Sequence, residues 1–280
     1  MNALSNVSRQ ILQRLSDAAV IDLQGKDIYP RLDNVLLGKT MYTMKESNTV
    51  FTDMNFCLIL LENAYGFSYF QEEIDYSLSK YVNCSIYELL EDSIPQYLRV
   101  ALVDGLYCQI NADKFAVANV FKGDLRQKAT QRARLLFTDI PHGAKLVIFG
   151  VATEIIEEAM RTSCQYLTLD LEPQKIGLML MGSEVMDARN YDLEEVIAWA
   201  DYILATGMLF VSHSADEIIN LANMHGTKIV LYMESGSNFG PQLTGMGVDA
   251  VLSERFPFYD FFGDTQYLYT RKVDNQNAVA

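Results

Sequence analysis

Histidine is scarce in this sequence: three among 280 residues, His142, His213 and His225, none with a second histidine four residues away or a cysteine at ligand spacing. The helical zinc-protease and zinc-finger patterns are thereby excluded. The four cysteines, Cys57, Cys84, Cys108 and Cys164, are scattered through apolar stretches without a C-x-x-C pair, which fits reduced core thiols and rules out a disulfide framework. Positive charge is also short, with 22 Lys and Arg against 36 Asp and Glu and a formal charge of −14. Such a surface repels a phosphate backbone, so nucleic acid is not an expected partner. The basic run Arg126 to Arg134 reads as the solvated face of a helix. Long apolar runs are missing too. "MNFCLILL" and "KLVIFGVA" fall far short of the roughly 20 residues of a membrane span. The N-terminal "MNALSNVSRQILQRLSDAAV" carries charge through its apolar positions, unlike a signal peptide. No membrane association and a cytoplasmic location are therefore expected.

Half of the residues are hydrophobic, enough for a sizeable core, and two rhythms divide the chain. Residues 1–112 open with a helix bearing Ile11, Leu12 and Leu15 on one face, followed by β-rich "NVLLGKTMYTM" and "TVFTDMNFCLILLENAYGFSYF" around the turn "KESN". Helices then follow, "SIYELLED" with Ser85 and Glu88 spaced as a capping box, and "IPQYLRVALVDGLYCQI" with Pro95 in its first turn. This predicts a small α+β domain, joined by a helical connection over 113–143. From residue 144 to 280 strands and helices alternate: "AKLVIFG", "ATEIIEEAMRTS", "YLTLDLE", "LEEVIAWA", "DYILATG", "SADEIINLANMHG", "KIVLYME" and "VDAVLSE". Strict alternation predicts an α/β fold, a Rossmann-like doubly wound parallel sheet.

In such sheets ligands bind outside the carboxyl ends of the strands, where helix N-termini and unpaired N–H groups converge. Four loops are therefore candidates. Gly150 ends the first strand and Thr153 is placed to cap the next helix, although the three-glycine dinucleotide fingerprint is absent. Asp170 and Glu172 end the second strand, where an acid can hold ribose hydroxyls. Thr206, Gly207, Ser212, His213 and Ser214 follow the next strand, Ser214 forming a capping box with Glu217. Glu234, Ser235, Gly236 and Ser237 form a corner able to wrap a polar group. His213 is the histidine that falls in a proposed ligand loop and titrates near neutrality, which suits an acid or base. His225 beside Gly226 reads as a helix C-terminal cap, and no Ser occupies a G-x-S-x-G nucleophile elbow.

The run "VIFG…LDLEP…WADYILATGMLFVSHSADEIINLA…KIVLYMESGSNFGPQLTGMGVDAVL" resembles the C-terminal domain of the heavy-metal-chelation family, whose function is largely unassigned. Glu172 with Pro173, Thr206 with Gly207, and Asp216 with Glu217 carry the likeness. The resemblance implies an enolase N-terminal-like small domain, formed here by "NVLLGKTMYTM…SIYELLED…PQYLRVALVDGLYCQI", and a site between the domains to which Asp104, Tyr107 and Asn111 would contribute. Tyr107 equally fits core packing. Two departures stand out: Ser212, His213 and Ser214 replace an Asn-x-Thr, and "MESG" replaces a "GPS".

The resulting expectation is a protein that binds a small polar or anionic ligand, with or without a metal ion, in an interdomain cleft at the carboxyl end of the parallel strands. Asp170, Glu172 and Glu234 would supply oxygen ligands for a divalent cation. The alternative is a biosynthetic enzyme using a nucleotide-type cofactor, NAD or S-adenosylmethionine, with His213 as acid or base. A third reading makes the aromatic tail "FPFYDFFGDTQYLY", with Phe256, Phe258 and Phe261, an interface, for instance of a homodimer.

Overall fold

The structure is a computed structural model that describes residues 9–44, 49–256 and 263–273. Helix α1 (Arg9–Gln24) buries Ile11, Leu12, Leu15, Ala19 and Leu23, a stripe at three- and four-residue spacing. Strands β1 (Asn34–Met44), β2 (Thr49–Leu61) and β3 (Ala64–Phe70) follow as an antiparallel meander, β2 and β3 joined through Glu62 and Asn63. The "KESN" turn lies outside the described residues. A 3₁₀ turn at Tyr76–Tyr81 leads to α2 (Ile86–Glu91), α3 (Gln96–Ile110) and α4 (Ala112–Ala116). Helix α3 is buried on nearly all sides from Tyr97 to Cys108, because it runs between the small sheet and the rest of the molecule. Gly66 of β3 makes that packing possible. A methyl group there would stand 1.9 Å from Ala101 O and 2.5 Å from Gly105 N, so only glycine lets the strand lie on the helix backbone.

The second sheet begins earlier than the sequence pattern implies. Within the segment expected to be a helical connection, β4 (Asn119–Phe121) precedes α5 (Leu125–Leu136), which starts with a true capping box between Asp124 and Gln127. Then come β5 (Lys145–Phe149), α6 (Thr153–Arg161), β6 (Gln165–Asp170), β7 (Met179–Leu180), β8 (Ser183–Asp187), α7 (Leu193–Trp199) and β9 (Tyr202–Thr206). Helices α8 (Met208–Val211) and α9 (Ala215–His225), strand β10 (Lys228–Met233), helix α10 (Gly240–Leu243), and strands β11 (Ala250–Glu254) and β12 (Thr265–Arg271) complete the chain.

The nine strands are ordered β4-β12-β11-β10-β9-β5-β6-β8-β7. The six central ones, β11 through β8, are parallel, and counted along the chain their order is 3-2-1-4-5-6, the doubly wound arrangement. Strand β8, the third of that series, escapes a pattern search because it is a short segment of mixed polarity, entered from the two-residue strand β7 by a two-residue turn. Met181 and Gly182 of that turn both have positive φ (51° and 81°), as a type I′ hairpin needs. One face of the sheet carries Leu146, Ile148, Leu204, Val230 and Leu252 toward α5 and α6. The other carries Val147, Ile203, Leu231 and Val251 into a core continuous with α1, α3 and the small sheet.

Several expected caps take other forms. Ser85 and Ser214 make no side-chain cap bond, Thr153 is the first residue of α6 rather than its cap, and the Ser214 hydroxyl pairs with Ser212 instead. Gly226 ends α9 in the left-handed conformation, φ 71°, as its position predicts. The basic run is not simply solvated: Lys128 and Arg132 of α5 turn inward.

A buried carboxylate helps to pin the two sheets together. Asp104 of α3, 0% exposed, accepts from Phe67 N at 2.9 Å, Asn238 N at 2.7 Å and Asn238 Nδ2 at 2.9 Å. The free edge of β3 is covered by the loop after β10, where Gly236 N donates to Phe67 O and Tyr69 N donates to Ser235 Oγ. Replacing Asp104 with Ala leaves three buried donors unpaired. The expected result is a loss of about 3 kcal/mol in urea unfolding. A loss below about 1 kcal/mol would show that the pin contributes little.

Candidate switch-point site

Strand order reverses between β5 and β9, the place at which doubly wound sheets present a ligand crevice. Gly150 and Thr206 stand on its two sides. Gly150 has φ 90°, and a methyl group on it would come within 3.0 Å of Thr206 Oγ1. Both residues are partly exposed. The turn after β5 is held from the neighbouring strand end. Asp170, 9% exposed, accepts from Val151 N, Leu171 N and Glu172 N, and its charge is balanced by Lys175 Nζ at 3.4 Å. Lys175 also pairs with Glu172 at 2.8 Å. Asp170 thus shapes the loop and has little capacity left for a ligand, whereas the Glu172 carboxyl is buried against Lys175.

Beside the crevice, the alternation of β9, β10 and β11 brings a polar row onto the α5 face. Thr206 lies opposite Tyr232, Glu234 is two residues further along the same face, and Glu254 occupies the corresponding place on β11. The Tyr232 hydroxyl donates to Glu234 and lies 3.1 Å from Glu254 Oε2. Arg132 of α5 grips Glu254 through two bonds, Nε at 2.6 Å and Nη2 at 2.9 Å, with its guanidinium carbon 5.0 Å from the centre of the Tyr232 ring. Glu254 is thus ion-paired with Arg132, and Glu234 joins this pair through the Tyr232 hydroxyl. Desolvation raises the Glu234 carboxyl from its ordinary 4.5 to about 7, and the neighbouring Glu254 charge adds to the rise against the pull of Arg132. Glu234 can therefore accept or donate a proton near neutrality.

Other expected site residues lie elsewhere. Helix α8 intervenes between Gly207 and Ser212, which puts Ser212, His213 and Ser214 beyond its far end; Ser212 and His213 are exposed there and His213 is at φ 61°. Asp216 at the start of α9 accepts from Ile11 N of α1 at 2.9 Å, an interhelical role. Ser235, 1% exposed, is enclosed in the contact with β3, where Phe67, Tyr69 and Phe256 cover the β10 corner, and Ser237 is fully buried nearby at 0% exposed. Tyr107 is core, its hydroxyl donating to Leu15 O, and Asn111 is tied to Asn238 O and Gln242. His225 contacts Glu194. Phe258 and Phe261 lie outside the described residues. Among the described residues no group of three or more His, Cys, Asp or Glu side chains is placed to hold a metal ion, and no helix is long and apolar enough to cross a membrane.

Tyr232, Glu254 and Arg132 were not singled out in the sequence. A signal existed: Glu254 continues the buried register of Ala250 and Leu252, and a charge in such a register demands a partner.

The whole-chain comparisons agree with this architecture. A protein of unknown function from the DUF364 family of Desulfitobacterium hafniense DCB-2 superposes with a TM-score of 0.58 at 12% identity, covering 93% of this chain and 100% of that one. A second DUF364 protein of unknown function, from Pyrococcus horikoshii, gives a TM-score of 0.55 at 12% identity, covering 92% and 99%. The likeness is one of fold. No protein-family model matches the chain, and no curated protein matches it.

The raised Glu234 carboxyl has a thermodynamic consequence. Between about 4.5 and about 7 the native state binds this proton more tightly than the unfolded chain, so stability falls as pH rises through that window. Asp104, raised to about 7 by burial, acts in the same direction. Glu234→Gln should therefore reduce, without abolishing, the loss of unfolding free energy between pH 5 and pH 8. Equal losses in wild type and variant in urea titrations would contradict the assignment.

Proposed function

We propose that the chain binds a small polar molecule carrying hydrogen-bond donors at the switch point, between the Gly150 turn and Thr206, with the Glu234 carboxyl facing the same crevice. The supporting observation is the juxtaposition of a glycine turn, a hydroxyl and a carboxyl that titrates near neutrality at the one place where strand order reverses. Thr206 Oγ1 would donate to or accept from the ligand. Glu234 would take up a proton from it or supply one. The aromatic cluster on the β10 corner would form one wall and exclude water from that side.

An anionic ligand suits this crevice only when Glu234 is protonated, since Arg132 is already engaged by Glu254. The nucleotide alternative draws no support from the first loop. Val151 N, an amide of the turn on which a dinucleotide would rest its phosphate, already donates to the Asp170 carboxylate, which would repel that phosphate. The metal-chelating role implied by the family resemblance would have to use Glu234 and Glu254 as oxygen donors with further ligands from the bound molecule or solvent.

A thermal-shift panel tests this reading, because a ligand that binds only the native state raises Tm. The panel comprises small hydroxy- and amino-compounds, Zn²⁺ and Ni²⁺ salts, and NAD, S-adenosylmethionine and ATP. Hydroxy- or amino-compounds should stabilise the wild type, and Thr206→Val or Glu234→Gln should cut the shift at least threefold. A response to nucleotides alone, or equal shifts in wild type and both variants, would reject the site.

A further inference from the structure

A second cleft, remote from the α5 face, is lined by the β2–β3 turn, by the junction of α3 and α4, and by Arg255 and Gln266 of the large sheet. It is an open groove of about 510 Å³. Arg255 follows Glu254 directly, so strand alternation sends its side chain to the opposite face from the Glu234 row. There the guanidinium lies 4.1 Å from the centre of the Phe115 ring and 5.4 Å from that of Tyr65. Nε donates to Asn238 Oδ1 at 2.7 Å, and one Nη2 bond goes to the Cys108 sulfur. Asn238 is itself fixed, because its Nδ2 donates to the buried Asp104.

A guanidinium has five N–H donors, and those of Arg255 that lie beyond these two bonds have no protein acceptor among the described residues. Nor does any carboxylate of the described residues stand within ion-pairing distance of it, in contrast to Arg132 with Glu254. The guanidinium is therefore oriented on one edge, flanked by the rings of Phe115 and Tyr65, and left with donors for a planar acceptor. The remaining lining is largely apolar, with Leu60, Leu61, Ala64 and Ala116 beside it.

We propose that this cleft binds the carboxylate group of a small monoanionic molecule with an apolar body, gripped by Arg255 and held against Tyr65 and Phe115. One guanidinium matches one negative charge. The exposed acid Glu62 on the rim disfavours a dianion such as phosphate. The site stands independently of the switch-point reading, on the other face of the sheet.

The test titrates the full chain with acetate, hexanoate, benzoate and indole-3-acetate, followed by NMR shifts and calorimetry. Benzyl alcohol serves as the uncharged analogue of benzoate, and inorganic phosphate as the dianion. At least one of the larger carboxylates should bind, at least tenfold more tightly than benzyl alcohol or phosphate, and should slow alkylation of Cys108. Arg255→Gln should weaken binding at least tenfold. Ala116→Trp, at an exposed helix position on the cleft lining, leaves the Arg255 side chain in place, should abolish binding by occupying the cleft and serves if the first variant does not fold. Thr206→Val should leave it unchanged. Failure of every carboxylate to bind, equal affinity for benzyl alcohol or phosphate, or binding that persists in Ala116→Trp would overturn the proposal.

Discussion

The arrangement depends on a buried carboxylate that faces only donors. Asp104 brings together a strand of the small sheet, through Phe67 N, and the loop leaving β10 of the large sheet, through both N–H groups of Asn238 that it engages. Burial pushes its proton affinity up, yet each of its contacts is satisfied best by the ionised form. The conflict is tolerated because removing the acid would leave the donors stranded in an interior with no water to receive them. With that joint in place, the aromatic cluster of Phe67, Tyr69 and Phe256 closes over the β10 corner, and the two faces of the parallel sheet become chemically distinct.

That distinction sorts the polar groups at the strand ends. Side chains that alternate toward α5 form the Tyr232, Glu234, Glu254 and Arg132 network, where charge is nearly balanced inside the protein. The adjacent Arg255 faces the other way, and its charge is answered only indirectly, through Asn238 and the distant Asp104. Two neighbouring residues in one chain thus serve separate environments because the strand pleat reverses between them.

Much of the architecture was legible in the sequence because it follows from repeated local patterns. The buried parallel strands read as continuous apolar runs, and Gly226 marked the end of α9. Strands β4, β8 and β12 were missed, since they lie at or beside the two edges of the sheet, are mixed in polarity and owe their existence to pairing with partners that local sequence does not specify. The convergence of Gly150 and Thr206 was inferable, because topology alone brings consecutive strand ends to one edge. The fate of Ser235, Ser237 and Asp170 was not. Whether a hydroxyl or carboxyl at a strand end faces a ligand or a neighbouring amide depends on what packs above it, and no spacing rule encodes the docking of β3 on the β10 loop. His213 illustrates a related limit: a single turn of helix, α8, carries it away from the strand end that the sequence places it beside.

The described chain passes from the small sheet and its helices to the large sheet at a single point, between α4 and β4. Every other link between these parts is noncovalent. Severing the backbone at Val117–Ala118 would yield two fragments, each retaining the strands of its own sheet. Their reassociation would then rest on the core that α1 and α3 share with one face of the large sheet and on the fit of β3 to the β10 loop, which makes this molecule suited to split-protein complementation, with Asp104 contributing to the affinity between the pieces.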